Sequence, residues 1–382
     1  MLDHLCVFQL CAAREDNRCM KIQSCSLNQV RGLPPLTLDF TDPVSGQARE
    51  RTVIAGSNGS GKTTLLEAIV QLLGIIEYKN LNWVTFDQAS AQLVIENLPP
   101  GNDDMLFIKL DPETPKGFTV WIGAEPASKA SSQPIGVKGG YLVHFFNATG
   151  LIHEQKIQQA EQGMGDYPNC LYFPSEHRQL QKKQIGQVIA EATPYQWVYR
   201  FSDNEQWPGS LESFLVAMYF RDLISRNDDP QYTNGQNGKV HHGGEFKQFT
   251  TIINRFLTKK QITGVDRQTF RIQVQGANGQ GYGIEQLSSG EKQILLLLGE
   301  IQRRIRQGSI VLIDEPELHL HPTWQRQLVS ALTDLCAAFD AQLIMTTHSE
   351  EIANAVYAHE LILLDDIFQS AQAATPETIP SV

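Results

Sequence analysis

Residues 51–76 read RTVIAGSNGSGKTTLLEAIVQLLGII, and this stretch decides the fold. Arg51–Ala55 is a short β-branched run, which predicts a strand. Gly56-Ser57-Asn58-Gly59-Ser60-Gly61-Lys62-Thr63 then matches G-x4-G-K-[ST]. From Thr63 onward, Leu65, Leu66, Ile69, Val70, Leu73 and Ile76 recur at three- and four-residue spacing, which is one buried face of a helix. Strand, glycine loop and helix in that order are the context the motif requires. The glycines let backbone N–H groups converge on phosphate oxygens, and the helix N-terminus adds positive potential. Lys62 is placed to reach the β- and γ-phosphates of ATP, and the Thr63 hydroxyl to ligate Mg²⁺. Thr64 closes the nucleotide-binding run.

A second signal lies far downstream. Ser309–Ile313 reads as a strand buried on both faces, and it delivers Asp314 and Glu315 at its C-terminal end. In open parallel sheets that is the edge where ligands bind. Asp314 is expected to hold Mg²⁺ and Glu315 to polarise the attacking water, which makes nucleotide hydrolysis the natural reaction.

Between and around these signals the chain alternates. The segment from Met20, KIQSCSLNQVRGLPPLTLDF, reads as strand, turn and strand. Met105–Leu110, Phe118–Ile122 and Tyr141–Phe146 predict an antiparallel layer, and Cys170–Phe173 a short strand stopped by Pro174. Helices are expected at Leu211–Ile224 and Glu245–Leu257, with a hairpin around Gln275–Gly281. The last hundred residues alternate: helix 291–306, strand 309–313, helix 323–339, strand 342–346 and strand 361–364, a parallel-sheet pattern. The expected units are an N-terminal extension 1–19, with Met20 as the native start, and a lobe 20–150 with the phosphate loop. An insertion 151–284 with a mobile loop 226–244, a C-terminal lobe 285–366 and a disordered tail 367–382 follow.

Composition narrows the class. The 382 residues are 41% hydrophobic and 19% charged, enough to bury a sizeable core. A net charge of −11 excludes a generally basic nucleic-acid coat, so any DNA contact must be local. No apolar run is long enough for a membrane helix. Cys6, Cys11, Cys19, Cys25, Cys170 and Cys336 lack the paired spacing of a zinc site, and the chain is too cysteine-poor for a disulfide scaffold, so the cytoplasm is the expected compartment.

Three C-terminal motifs then bring a family into view. Leu287-Ser288-Ser289-Gly290-Glu291-Lys292 resembles the signature of ABC-type ATPases. Asp314-Glu-Pro-Glu-Leu-His-Leu-His-Pro322 resembles the Walker B and D-loop of one branch, and Thr346-Thr-His348-Ser349 its switch-histidine strand. The branch comprises soluble ABC-type heads, AAA-type ATP-binding proteins related to OLD and RecF, many of which serve in anti-phage defence. The resemblance covers residues 51–76 and 287–364. It implies an α/β P-loop fold with a mixed central sheet, an antiparallel β layer and a helical insertion between Walker A and signature. It also implies a homodimer that sandwiches ATP, with the signature Ser288, Ser289, Gly290 and Glu291 supplied in trans, Ser288 and Gly290 contacting the γ-phosphate, and His348 sensing or holding it. His319 and His321 fall in the D-loop on this reading rather than in a metal site. Gln179 or Gln181 occupies the Q-loop region, and Arg31 matches a basic residue that approaches nucleotide. Residues 63–286 separate the motifs more widely than in transporter ATPases, without the heptads of SMC-type coiled coils. RecF matches in length, but its Walker B is not followed by Glu-Leu-His-Leu-His-Pro. The residues after Leu364 leave no room for an appended nuclease, so a separate effector, nuclease or toxin, is expected. The alternatives are a DNA repair or recombination ATPase that binds DNA, and then a transporter subunit.

Overall fold

Runs such as Ile310–Ile313 and Leu343–Met345 present no polar face, and such strands are stable only when both sides are covered. In the computed structural model they lie in the middle of a six-stranded sheet. The structure describes residues 20–28, 30–77, 90–96, 105–110, 118–123, 168–175, 196–201, 211–228, 244–266 and 268–373. Strands are numbered along the chain. The sheet contains β3 (Arg51–Ala55), β7 (Cys170–Phe173), β8 (Val198–Arg200), β12 (Ile310–Asp314), β13 (Gln342–Thr347) and β14 (Leu361–Leu363). Its order is β14-β3-β13-β12-β7-β8.

Side chains alternate across each strand, so one set of residues builds two cores. Val53, Val311, Ile313 and Leu343 join one cluster, and Ile54, Ile310, Leu312 and Ile344 the other. The second cluster is covered by helix α1 (Lys62–Glu77) and by β1 (Lys21–Asn28), β2 (Leu36–Asp39) and β4 (Ser90–Glu96). With β5 (Met105–Leu110) and β6 (Phe118–Gly123) these form an antiparallel sheet ordered β2-β1-β4-β5-β6. Buried Gln342 ties this layer to the central sheet: its amide accepts from Ile22 N at 2.7 Å and donates to Ile22 O at 2.9 Å. The first cluster is covered by α2 (Leu211–Asp228), α3 (Glu245–Asn254), α4 (Ser289–Arg304) and α5 (Pro322–Ala337), and Ile352 of the short α6 (Glu350–Ala353) joins it. A small antiparallel sheet, β11 (Gly281–Tyr282), β10 (Ile272–Gly276) and β9 (Lys260–Val265), packs at their edge.

Several expectations are corrected. The central sheet, expected to be mixed, is parallel between every described pair of neighbours, and antiparallel pairing is confined to the two other sheets. An insertion from residue 151 is not separate from the main sheet, because β7 and β8 belong to it. Helix α2 runs to Asp228, so the first residues of the expected loop 226–244 are helical. The tail expected from residue 367 begins inside helix α7 (Leu364–Ala373), whose Leu364 is buried. The extension 1–19, strand 141–146, residues 229–243 and residues 374–382 lie outside the described residues. Cys25, Cys170 and Cys336 are buried free thiols, and burial pushes Cys25 and Cys336 up to about 12, which makes them poor nucleophiles.

Register decides where the chemistry falls. Ala55 pairs with Thr347, Thr346 with Asp314, and Ile313 with Phe173, so four strands end level with one another. The glycine loop, the acidic pair and the histidine segment therefore leave the same edge of the sheet. A one-residue slip would move Asp314 away from that edge and invert the buried pattern.

Candidate active site

The loop Gly56–Lys62 needs backbone conformations that most residues resist. Gly59 and Gly61 have φ of 82° and 86°. A Cβ on Gly61 would lie 2.1 Å from Leu33 Cδ2, so the position is closed to side chains on two grounds. The resulting curl wraps around its own lysine. Lys62, only 4% exposed, donates from Nζ to Gly56 O and Ser57 O at 2.9 Å each. The outer side of the loop is held by α7: Ser57 N and Oγ donate to the two Asp365 carboxylate oxygens at 2.9 and 3.0 Å. Ser57, Asn58, Gly59 and Thr63 are exposed, while Ser60, Gly61 and Thr64 are partly covered. A cavity of about 470 Å³ opens beside the loop, lined by Ser57, Asn58, His348, Glu350, Leu363 and Asp365 among others.

The two acids have different settings. Asp314 is fully buried, accepting from Thr63 Oγ1 at 2.7 Å and from Thr346 Oγ1 at 2.5 Å. Glu315 sits at φ 49°, its N–H donating to Thr346 O at 3.0 Å. That left-handed turn swings its carboxylate to 3.9 Å from Lys62 Nζ and 3.2 Å from His348 Nδ1. Lys62, Thr63, Asp314, Glu315 and His348 thus converge. The donor set fits Mg²⁺: one carboxylate and one hydroxyl in contact are hard oxygen ligands, and this ion takes its remaining ligands from phosphate and water. No cluster of three or more His, Cys, Asp or Glu able to hold a metal occurs among the described residues.

The signature is built differently. Ser288 caps α4 in a reciprocal capping box, its N–H donating to Glu291 Oε2 at 2.7 Å and its Oγ accepting from Glu291 N at 3.4 Å. Lys260 on β9 donates to the same Glu291 oxygen at 2.9 Å. Gly290 lies so close to the D-loop that a Cβ would be 3.1 Å from His319 O. Ser288 and Ser289 remain exposed at the helix start. Burial raises the Glu291 pKa, but the Lys260 ammonium and the Ser288 N–H outweigh it and hold the carboxyl below its ordinary value. A carboxyl lowered on folding stabilises above its unfolded pKa, about 4.3, and loses that contribution as pH falls through the folded value. The stability gap between wild type and Glu291→Gln is therefore expected to narrow below about pH 4.3. Chemical denaturation at stepped pH checks this, and a gap that widens on acidification refutes it.

Other expected residues sit elsewhere. Arg31, at φ 46°, pairs with Glu67 on α1, which also receives Arg200 Nη2 at 2.7 Å; the described contact of Arg31 is with that carboxylate, not with the loop. Gln179 and Gln181 lie outside the described residues. His319 takes φ 63°, and His321 Nδ1 accepts from Thr323 N at 3.3 Å as the N-cap of α5. Sequence reasoning missed Glu317, Gln325, Asp365 and Lys260. Glu317 was visible inside the quoted acidic motif. Asp365 acts across most of the chain length, and no local spacing signals that.

Residues 173–354 match the family model described as "AAA domain, putative AbiEii toxin, Type IV TA system". The chain is similar to "Retron Vc95 probable ATPase" of Vibrio cholerae, at 20% identity over 87% of this chain and 72% of that protein. It is 34% identical to "Septu protein PtuA" of Bacillus thuringiensis over 31% of this chain and 33% of that one. Among solved structures, an SMC head bound to the C-winged helix domain of ScpA is 15% identical, covering 88% of this chain and 91% of its own, with a TM-score of 0.45. With a phosphate loop, strand-end acids and a histidine meeting at one sheet edge, this chain is a P-loop ATPase.

Proposed function

We propose that this ATPase works with Mg²⁺ as a homodimer that closes around ATP and gates a separate effector, a nuclease or toxin, in defence against phage. One observation carries the dimer: Ser288 and Ser289 are exposed at the start of α4, a helix end that favours anions. Ser57, Asn58 and Gly59 of the phosphate loop are exposed too, so the two halves can meet between copies. Within one copy, Lys62 and the loop N–H groups bind and orient the phosphates. Thr63 and Asp314 would hold Mg²⁺, which when bound offsets phosphate charge. Glu315 accepts a proton from the attacking water, and His348 beside it meets the terminal phosphate. The defence role rests on the motif resemblance and on the retron and Septu names of the relatives.

Complementation tests the sandwich. Lys62→Ala and Ser288→Arg are each expected to be inactive alone, since each spoils both composite sites of a homodimer. Mixed, they form a heterodimer with one intact site, so ATPase activity returns. Folded variants that stay silent when mixed, beside an active wild type, would overturn the trans arrangement.

A further inference from the structure

Glu317 has no place in the hydrolytic machinery described so far, yet it is a buried carboxylate, 4% exposed. Burying such a group is unfavourable unless donors surround it. Its Oε1 accepts from Thr347 Oγ1 at 2.7 Å and from His348 N at 2.9 Å, and lies 3.2 Å from His348 Nδ1. Every one of these donors belongs to the histidine segment. Glu315 Oε1 lies 3.2 Å from the same Nδ1. Two carboxylates on one ring nitrogen assign the proton to Nδ1, because a bare nitrogen there would repel both. Nε2 is then the atom directed away from the carboxylates, on a side chain that is 40% exposed. The following residue is clamped as well: Ser349 Oγ donates to Gln325 Oε1 at 2.5 Å, and Gln325 Nε2 donates to Leu320 O at 3.0 Å.

We propose that Glu317 is the positioning residue of His348. It accepts from the backbone and ring together, and so holds both Nε2 and the neighbouring Glu315 carboxylate where hydrolysis needs them. The inference rests on the hydrolytic reading of the site. Its hydrogen bonds given above run to Thr347 and His348 rather than to the phosphate loop, so nucleotide affinity is expected to be independent of it.

Three replacements separate position from charge. Glu317→Ala removes the acceptor. Glu317→Asp keeps the charge but withdraws it by one methylene. Glu317→Gln keeps an oxygen at full reach without the charge. In steady-state ATPase assays on the full chain, Glu317→Ala and Glu317→Asp are expected to lose on the order of 10- to 100-fold in kcat with KM within about twofold of wild type, as for a reacting group misplaced by a fraction of an ångström. Glu317→Gln is expected to stay within about threefold of wild type. In a His348→Ala background, Glu317→Ala is expected to add less than about twofold, because the residue acts through that ring. Should Glu317→Ala fail to fold, Glu317→Asp carries the same test. Kcat unchanged in Glu317→Asp, a Gln variant worse than the Asp variant, or additive losses with His348→Ala would each overturn the inference while the ATPase reading stands. A wild-type chain that binds ATP without turning it over would overturn both.

Discussion

Glu315→Gln is expected to lower ATP turnover by roughly 10²- to 10⁴-fold, the range for removing a positioned general base, while ATP binding stays within a few-fold of wild type. The structure separates the two effects. Glu315 reaches its place through a left-handed backbone turn at φ 49°, fixed by its own N–H bond to Thr346 O, and neither depends on the carboxylate charge. The amide fills the same volume, so Lys62, Thr63 and Asp314 remain where they are. What is lost is the capacity to accept a proton beside His348. On the proposed dimer reading, a slow variant that binds ATP is also expected to accumulate the closed state, seen by light scattering as a doubling of mass with ATP and not with ADP. Turnover within twofold of wild type would remove Glu315 as the base.

Lys62→Ala is expected to weaken ATP binding by on the order of 10- to 100-fold per lost charge-assisted bond, at about 1.5–3 kcal/mol each. The ammonium has two tasks. Without nucleotide it donates to Gly56 O and Ser57 O and so keeps the loop curled around a cation. With nucleotide it offers that charge to phosphate. Alanine removes both, and the loop carbonyls then face the site with no cation between them and an anionic ligand. Titration calorimetry on a folded variant reads the change directly. Affinity unchanged within threefold would mean that phosphate binding is carried by the backbone N–H groups alone.

Legibility followed range in the chain. The loop Gly56–Thr63 and the pair Asp314–Glu315 were readable because each is local: a handful of residues sets the turn, and the flanking apolar runs name the elements. The start of the helix expected at 291–306 was equally local, since the cap at Ser288 is a bond over three residues. The contact of Arg31 with Glu67 was not legible, because that partner sits on another element and the pairing of a guanidinium is a matter of packing. Asp365 was invisible for the same reason. Its bonds to Ser57 exist because β14 lies beside β3, a pairing that no spacing announces. Glu317 stood in plain view inside an acidic motif, but only its burial against Thr347 and His348 distinguishes a positioning carboxylate from a solvated one.

By itself, then, the sequence determined the parts: a phosphate loop between strand and helix, two acids at a strand end, a capped helix start and a histidine after a buried strand. Backbone sterics and side-chain periodicity are properties of neighbouring residues, and they act wherever the chain goes. The tertiary structure alone decided how the parts meet. The parallel register of β3, β13 and β12 brings Ala55, Thr347 and Asp314 level, so loops hundreds of residues apart leave one edge together. That register is set by packing on both faces of the sheet: a slip would swap Val311 and Ile313 with Ile310 and Leu312 between the two cores and carry Asp314 out of line with Thr346. It also placed β7 and β8 beside β12 in the central sheet.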